Sequence, residues 1–403
     1  MTRIDLQPSL PTGRRKLKIV FAGAHPYLPQ IAGGSQSNTH EMATELILRG
    51  HEVSVLAGLT RDGWIGARNR TLMKLLRRKA IGDTSQGYNV YRSWFAWEGV
   101  GEVARAARPD VVVAQSGQVL RVAKAFVETK VPLVVYLHNV EFEDHGASLD
   151  DFRDATFLAN SQFTADRYRS EYGIESTVIN PLFQAERYTV ASSRERVLFI
   201  NPHPAKGVDI ALELAAACSD IPFDFVESWT LSDEQRSALR ARARELGNIV
   251  VHPRTSDMRE HYGRARLVLV PSRWEETWGR VASEAHFSGI PVLASATGGL
   301  PEAVGPGGVL VAPDAPLDEW VEELRSLWGD ATRYRRLAEA AFVYSQRPQL
   351  DHNLQIEQME KVLVATASGG HPLPSTGERG LSREPSHPAA SRRGAATQPR
   401  SAG

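Results

Sequence analysis

From Lys16 onward, short apolar runs alternate with stretches of helical periodicity. The runs KIVFAG (18–23), EVSVLAG (52–58), DVVVAQ (110–115), PLVVYLH (132–138) and ATFLANS (155–161) are short and apolar or β-branched, which predicts buried strands. Residues 36–49, 99–108, 117–130 and 162–172 lie between them and read as helices. The pattern then restarts with RVLFIN (196–201), FDFVES (223–228), NIVVHP (248–253), RLVLVPS (266–272), PVLAS (291–295) and GVLV (308–311). Helices at 206–218, 231–246, 257–264, 280–289, 315–328 and 331–346 separate this second strand set. Strand–helix alternation implies parallel sheets covered on both faces. The expected fold class is α/β, with two doubly wound Rossmann-like halves facing a central cleft.

The expected divisions are a mobile lead at 1–15, a first half at 16–185, a second at 186–365 and a disordered tail at 366–403. The polar segment 183–194 after Pro181 reads as the linker. A last helical stretch, roughly 351–364, admits packing back against the first half. The tail is rich in Gly, Pro, Ser and Arg and nearly devoid of large apolar residues, so burial cannot offset its ordering entropy.

A length of 403 residues suits two domains. Lys+Arg and Asp+Glu are both 47, so no global field gathers nucleic acid, and no nucleic-acid partner is expected. The single cysteine, Cys218, excludes an internal disulfide and a cysteine-based zinc site, and fits a reducing compartment. The first residues hold no apolar stretch of secretory type, and no run reaches the roughly 18 apolar residues of a membrane span. A cytoplasmic protein is expected, with any membrane contact peripheral.

The chemistry concentrates in PSRWEETWGRVASEAHFSGIPVLASATGGLPEAVG, residues 271–305. A strand ends at Pro271, and a loop carries Glu276. Gly279 then opens a helix that holds Arg280, Val281 and Glu284. A carboxylate accepts hydrogen bonds from two neighbouring hydroxyls, as on a sugar or ribose. Helix-start N–H groups add an anion site, and Gly279 permits close approach to the backbone. Gly298-Gly299 and Glu302 complete the ordered set. As isolated residues, both glutamates would pass for solvated surface charges.

A second segment, FINPHPAKGVDIALELA (199–215), places Lys206-Gly207 at a helix start, where charge and helix dipole together stabilise a diphosphate. Gly33-Gly34-Ser35-Gln36 precedes another helix, a placement that suits either a ligand or a plain strand–helix turn. The dehydrogenase spacing G-x-G-x-x-G is absent after Val20. His138 ends its strand, where side chains point into the crevice of such folds. His145 and Glu143 stand nearby, and Asn160 and Ser161 end the next strand. No paired-histidine or D-x-D pattern suggests a metal.

The segment 271–284 resembles the retaining glycosyltransferase family 4 of the GT-B superfamily, which carries P-S-x-x-E-x-F-G and a second Glu after seven residues. Here the matching positions are Pro271, Ser272, Glu276, Trp278 in the aromatic place, Gly279 and Glu284. The likeness extends over roughly 16–365. It implies that Glu276 contacts the donor hexose and Glu284 holds the nucleotide ribose. It also implies that the Gly34 loop faces the donor phosphate and that His138 contacts the donor sugar. The implied activity moves a hexose-type sugar from a UDP- or GDP-sugar to a hydroxyl acceptor with retention. A leaving-phosphate oxygen takes the acceptor proton, and no cofactor or metal is needed. Glu276, His138 and Lys206 are the expected catalytic residues. Gly34, Gly207, Arg254, Gly279, Arg280, Val281 and Glu284 are the expected donor-binding ones. Family members carry Arg five residues before the Lys, where this chain has Asn201, so Arg254 or Arg280 would supply the missing cation.

The acceptor stays open among glycan, glycolipid and small molecule. The segment 61–79 is basic, with Trp64, Ile65, Leu72, Leu75 and Leu76 interleaved. It reads either as a solvated helix packed by its apolar side or as a peripheral contact with an anionic membrane. A nucleotide-sugar epimerase of the same fold and a non-catalytic nucleotide-sugar-binding partner are the competing functions.

Overall fold

The computed structural model describes residues 15–370 except 32, 153 and 154, and of 143 and 144 it describes the backbone only. The lead up to residue 14, the tail beyond 370 and the Glu143 side chain therefore lie outside the described residues. The first half runs β1 (Lys18–Pro26), α1 (Gly34–Leu48), β2 (Glu52–Gly58), α2 (Gly63–Leu76), β3 (Ile81–Asp83), β4 (Asn89–Ser93), α3 (Ala96–Ala107), β5 (Val111–Gln115), α4 (Val119–Val127), β6 (Leu133–Leu137), β7 (Thr156–Ala159), α5 (Gln162–Tyr172) and β8 (Thr177–Val178). The second runs β9 (Arg196–Ile200), α6 (Val208–Ala217), β10 (Phe223–Val226), α7 (Asp233–Leu246), β11 (Ile249–His252), α8 (Arg259–Tyr262), β12 (Ala265–Val270), α9 (Arg280–His286), β13 (Val292–Ser295), α10 (Leu300–Val304), β14 (Gly308–Val311), α11 (Leu317–Gly329), α12 (Ala331–Ser345) and α13 (His352–Ala367).

Two sheets result, ordered β3-β4-β2-β1-β5-β6-β7-β8 and β11-β10-β9-β12-β13-β14. Pairing is parallel throughout except for β3 on β4. Strand order reverses between β1 and β5 in the first sheet and between β9 and β12 in the second. At such switch points the loops part in opposite directions and leave a crevice at the strand carboxyl ends. Apolar side chains fill both faces of each sheet. Ile19, Phe21 and Val113 face one core of the first half, and Val20, Ala22 and Val112 face the other.

The chain crosses between the halves twice. Leu182 belongs to the core of the first half and Phe183 to that of the second. On the return, Leu350 lies in the second core and Ile356 in the first. The crossings touch: the Asn180 N–H donates to Gln355 Oε1 at 2.8 Å, and His352 Nδ1 lies 3.2 Å from the Phe183 carbonyl. Ile356, Met359, Val362 and Leu363 of α13 pack with Leu17, Ile19 and Tyr136. Residues 352–365, assigned by sequence to the second half, thus pack on the first, because their apolar stripe completes its core. The helix continues to Ala367, past the expected start of the tail at 366.

Candidate active site

A cleft of about 820 Å³ opens at the two switch points. His25 and Pro26 at the end of β1, and Ser116 and Gly117 after β5, line it from the first half. Asn201 after β9 and Ser272 after β12 line it from the second. The structure brings Gly34, His138, Lys206, Arg254, Glu276, Gly279, Arg280 and Val281 into this one lining.

The centre of the site is an ion pair. Lys206 Nζ lies 2.5 Å from Glu276 Oε1, and both side chains are mostly buried. Ser272 Oγ donates to the same carboxylate oxygen at 3.1 Å. Lys206 also sits over the Trp229 ring, 4.7 Å from its centroid, a cation–π contact that holds the ammonium in place. The two residues are far apart in sequence, and the backbone brings them together. The N–H groups of Arg273 and Trp274 donate to the Ala205 carbonyl at 3.1 and 3.0 Å, clamping the loop after β12 onto the turn that carries Lys206.

Glycines make this clamp possible. Gly207 has φ +76°, and a Cβ there would overlap the Pro271 carbonyl. A Cβ on Gly298, at φ +58°, would overlap the backbone of Glu276. The Gly298-Gly299 pair is therefore a packing device that seats the Glu276 loop. Gly207 lies outside the cleft lining beside Lys206, and its close fit against Pro271 gives it a backbone role.

Glu284 also departs from expectation. It stands one turn behind Arg280 on the same face of α9, outside the cleft lining, and its carboxylate reaches α8. Its Oε2 accepts from Tyr262 Oη at 2.9 Å, and its Oε1 lies 3.4 Å from Arg280 Nε. Arg280 is likewise committed. It donates to the Leu182 carbonyl at 2.9 Å and pairs with Glu41 of α1 at 3.2 Å. This network ties the halves together beside the crossings. Burial pushes the Glu41 carboxyl above its usual range, and Arg280 and Arg187 pull it back.

Asn201, at the position of the family arginine, takes a left-handed backbone at φ +68°. Its Oδ1 accepts from the Trp229 N–H at 3.1 Å, so it orders the Trp229 loop. With Arg280 engaged, Arg254 is the exposed lining guanidinium with no carboxylate partner among the described residues.

His138 follows β6, and its Nε2 is covered and has no partner among the described residues. Burial pulls its pKa down to about 3, because the charged ring loses its hydration. The imidazole is therefore neutral from pH 5 to 8, a form that suits a hydrogen-bonding group better than a titrating base. His138→Gln is expected to lower turnover about tenfold while leaving the shape of the pH–rate profile unchanged over that range. A profile that loses a limb in this variant would contradict that role.

His145 is structural: its ring bridges the Phe142 carbonyl and Tyr168 Oη. Asn160 Nδ2 donates across the cleft to Thr277 Oγ1 at 2.9 Å, and Thr277 Oγ1 donates to the His138 carbonyl at 2.8 Å. Glu302 accepts from the N–H groups of Gln162 and Phe163 at the start of α5, so it joins the halves at a helix N-terminus. These cross-cleft contacts escaped the sequence reading because each joins residues more than a hundred positions apart. Among the described residues, Asp224, His252 and His261 form a group spaced for a metal, with one ligand atom each within 4.8 Å. None lines the cleft, and Arg196 Nε sits 2.8 Å from Asp224 Oδ1, where a cation would compete with it.

Comparison with known proteins agrees with this geometry. Residues 194–330 match the family described as glycosyl transferases group 1, and residues 32–187 match glycosyltransferase family 4. A D-inositol 3-phosphate glycosyltransferase of Streptomyces bingchenggensis is 39% identical over 222 residues, 47% of this chain and 49% of that protein. One from Corynebacterium aurimucosum is 43% identical over 88 residues, 21% of this chain and 20% of that protein. The matches thus span from a fifth to half the length of these curated relatives. In fold, the chain is similar to Anabaena Alr3699/HepE, solved with UDP and glucose. That likeness has a TM-score of 0.68 at 21% identity over 87% of this chain and 100% of that one. It is also similar to sucrose-phosphate synthase from Thermosynechococcus elongatus, with a TM-score of 0.68 at 15% identity over 88% and 100%. By the matches in both halves of its sequence and by its GT-B architecture, the chain belongs to the group 1, family 4 glycosyltransferases.

Proposed function

We propose that this chain transfers a hexose-type sugar from a nucleoside diphosphate sugar to a hydroxyl acceptor, with retention and without a metal ion. The observation that carries the reading is the Lys206–Glu276 pair at the centre of the inter-half cleft. The ammonium meets the charge that grows on the diphosphate as the glycosidic bond breaks. The carboxylate accepts from the donor's hydroxyls and fixes the sugar against that cation. The N-terminus of α1, with Gly33 and Gly34 in the lining, adds N–H groups toward the phosphates.

In the proposed step, the bond between the anomeric carbon and the phosphate oxygen breaks. The acceptor oxygen bonds to the same face of that carbon, and its proton passes to the departing phosphate oxygen. The neutral His138 and the paired Glu276 favour this route, since neither stands as a free base in the cleft. UDP is the first nucleotide to try, because the HepE structures hold UDP and UDP-glucose. Proton NMR of the product tests the reading directly. An anomeric coupling that matches the donor supports retention, and an inverted one overturns it.

Arg254 supplies the cation missing at Asn201 in this reading. Arg254→Ala is expected to weaken nucleoside diphosphate binding about tenfold, the value of one charge-assisted contact. Unchanged affinity in calorimetry would remove Arg254 from the site.

A further inference from the structure

Helix α2 is apolar on two opposite sides. Its inner side carries Met73, packed with Leu59 and Ile81, with Ile65 and Leu72 alongside. That packing explains the helix as a covering element of the sheet. It does not explain Trp64, Leu75 and Leu76, which are 77%, 73% and 52% exposed. At about 100° per residue, Trp64 and Leu75 fall within about 20° of each other, three turns apart, on the side opposite Met73. Trp94 and Phe95, at the corner between β4 and α3, are exposed as well. They share a surface hollow of about 500 Å³ with Arg70, Lys74, Arg77 and Arg78.

The charge around these apolar side chains is mostly positive. Residues 61–79 hold seven Lys and Arg against one carboxylate, Asp62, in a chain whose net charge is zero. Lys79 pairs with Glu98. Arg61, Arg70, Lys74, Arg77 and Arg78 are exposed and have no carboxylate partner among the described residues. Large apolar side chains held exposed on one element mark a docking surface, and the cations set among them select an anionic partner.

We propose that the outer face of α2, with the Trp94–Phe95 corner, docks in the plane of an anionic lipid surface. Tryptophan settles at headgroup level, the leucines reach the acyl boundary, and the cations meet lipid phosphates. Single-stranded nucleic acid would use the aromatic rings, but Leu75 and Leu76 offer it no stacking surface. Among the described residues no helix is long and apolar enough to cross a membrane, so the contact lies in the interface. The face starts at the rim of the cleft. Gln30 Nε2 donates to Thr60 Oγ1 at 2.9 Å and to the Asp62 carbonyl at 3.1 Å, and the next residue, Ile31, lines the cleft. The docking does not depend on the transferase reading, because none of its residues belongs to the donor site.

The test is co-sedimentation of the full chain with vesicles of phosphatidylcholine alone or with about a third phosphatidylglycerol. Partition onto the anionic vesicles is expected to exceed that onto neutral ones about tenfold at low salt, and to fall about tenfold at high salt. The double variant Trp64→Ala/Leu75→Ala and, separately, the triple variant Arg70→Ala/Lys74→Ala/Arg77→Ala should each lose most of this binding. Nucleoside diphosphate affinity should stay unchanged in both. Equal binding to both vesicle types would overturn the proposal, as would variants that bind like the parent. So would displacement of the chain from vesicles by single-stranded nucleic acid, or a dimer in sedimentation velocity that either set of substitutions breaks.

Discussion

Glu276→Gln is expected to retain nucleoside diphosphate binding and to lose about 10²- to 10³-fold in turnover, the scale of removing one preorganised charged contact at a reacting centre. The amide keeps the shape of the side chain and one acceptor oxygen. It removes the negative charge that orients Lys206 and accepts from the sugar. Ser272 Oγ and Lys206 Nζ both converge on Oε1, so a neutral amide also faces a donor it cannot fully satisfy. Rapid-quench measurement of transfer, with calorimetric binding of the nucleotide on the same sample, separates the two effects. Turnover within threefold of the parent would remove Glu276 from the chemistry.

Lys206→Ala has the second large effect, and it acts on binding as well as rate. It removes the cation over Trp229 and leaves the Glu276 carboxylate without its ion partner in a mostly buried place. Nucleoside diphosphate affinity is expected to fall about 100-fold, from loss of the charge and from the repulsion that Glu276 then exerts on the phosphates. Breaking a buried pair by deleting one member also destabilises the fold, here by roughly 1–3 kcal/mol, because the pair keeps some contact with water. Lys206→Arg would keep the charge but place a planar fork where a compact ammonium fits between Glu276 and Trp229, so it should restore only part of the affinity. An alanine variant that binds nucleotide like the parent would contradict the site as drawn.

Much of this arrangement is legible in the sequence, for identifiable reasons. The strands β1, β2, β5, β6 and β7 and the six strands of the second half are short runs of mostly apolar residues, as strands of a covered parallel sheet tend to be. β3, β4 and β8 were not visible. They are two to five residues long, and β4 (NVYRS) mixes polar and apolar positions because it lies near the sheet edge. The loops after β9 and β12 were readable as a site because Lys206 and Glu276 each stand between a strand end and a helix start. Which way Glu284 points was not readable. Spacing puts it on a helix, but only the structure shows that its carboxylate meets Tyr262 of α8 and Arg280. The division at 365 followed chain order, while the helical stretch near 351–364 already admitted packing on the first half; tertiary structure shows that the first core is the partner of α13. Gly207 and Gly298 are also required for close approach of backbone to backbone, at Pro271 and at Glu276, which sequence alone does not reveal.

The central claim is that the cleft between the halves binds a nucleoside diphosphate through Lys206. The direct measurement is calorimetric titration of the full chain and of Lys206→Ala with UDP, GDP, ADP and their sugar derivatives, with and without EDTA. Saturable binding of one nucleotide is expected, unaffected by EDTA and weakened about 100-fold in the variant. Binding of none of them, or equal binding by both proteins, would contradict it.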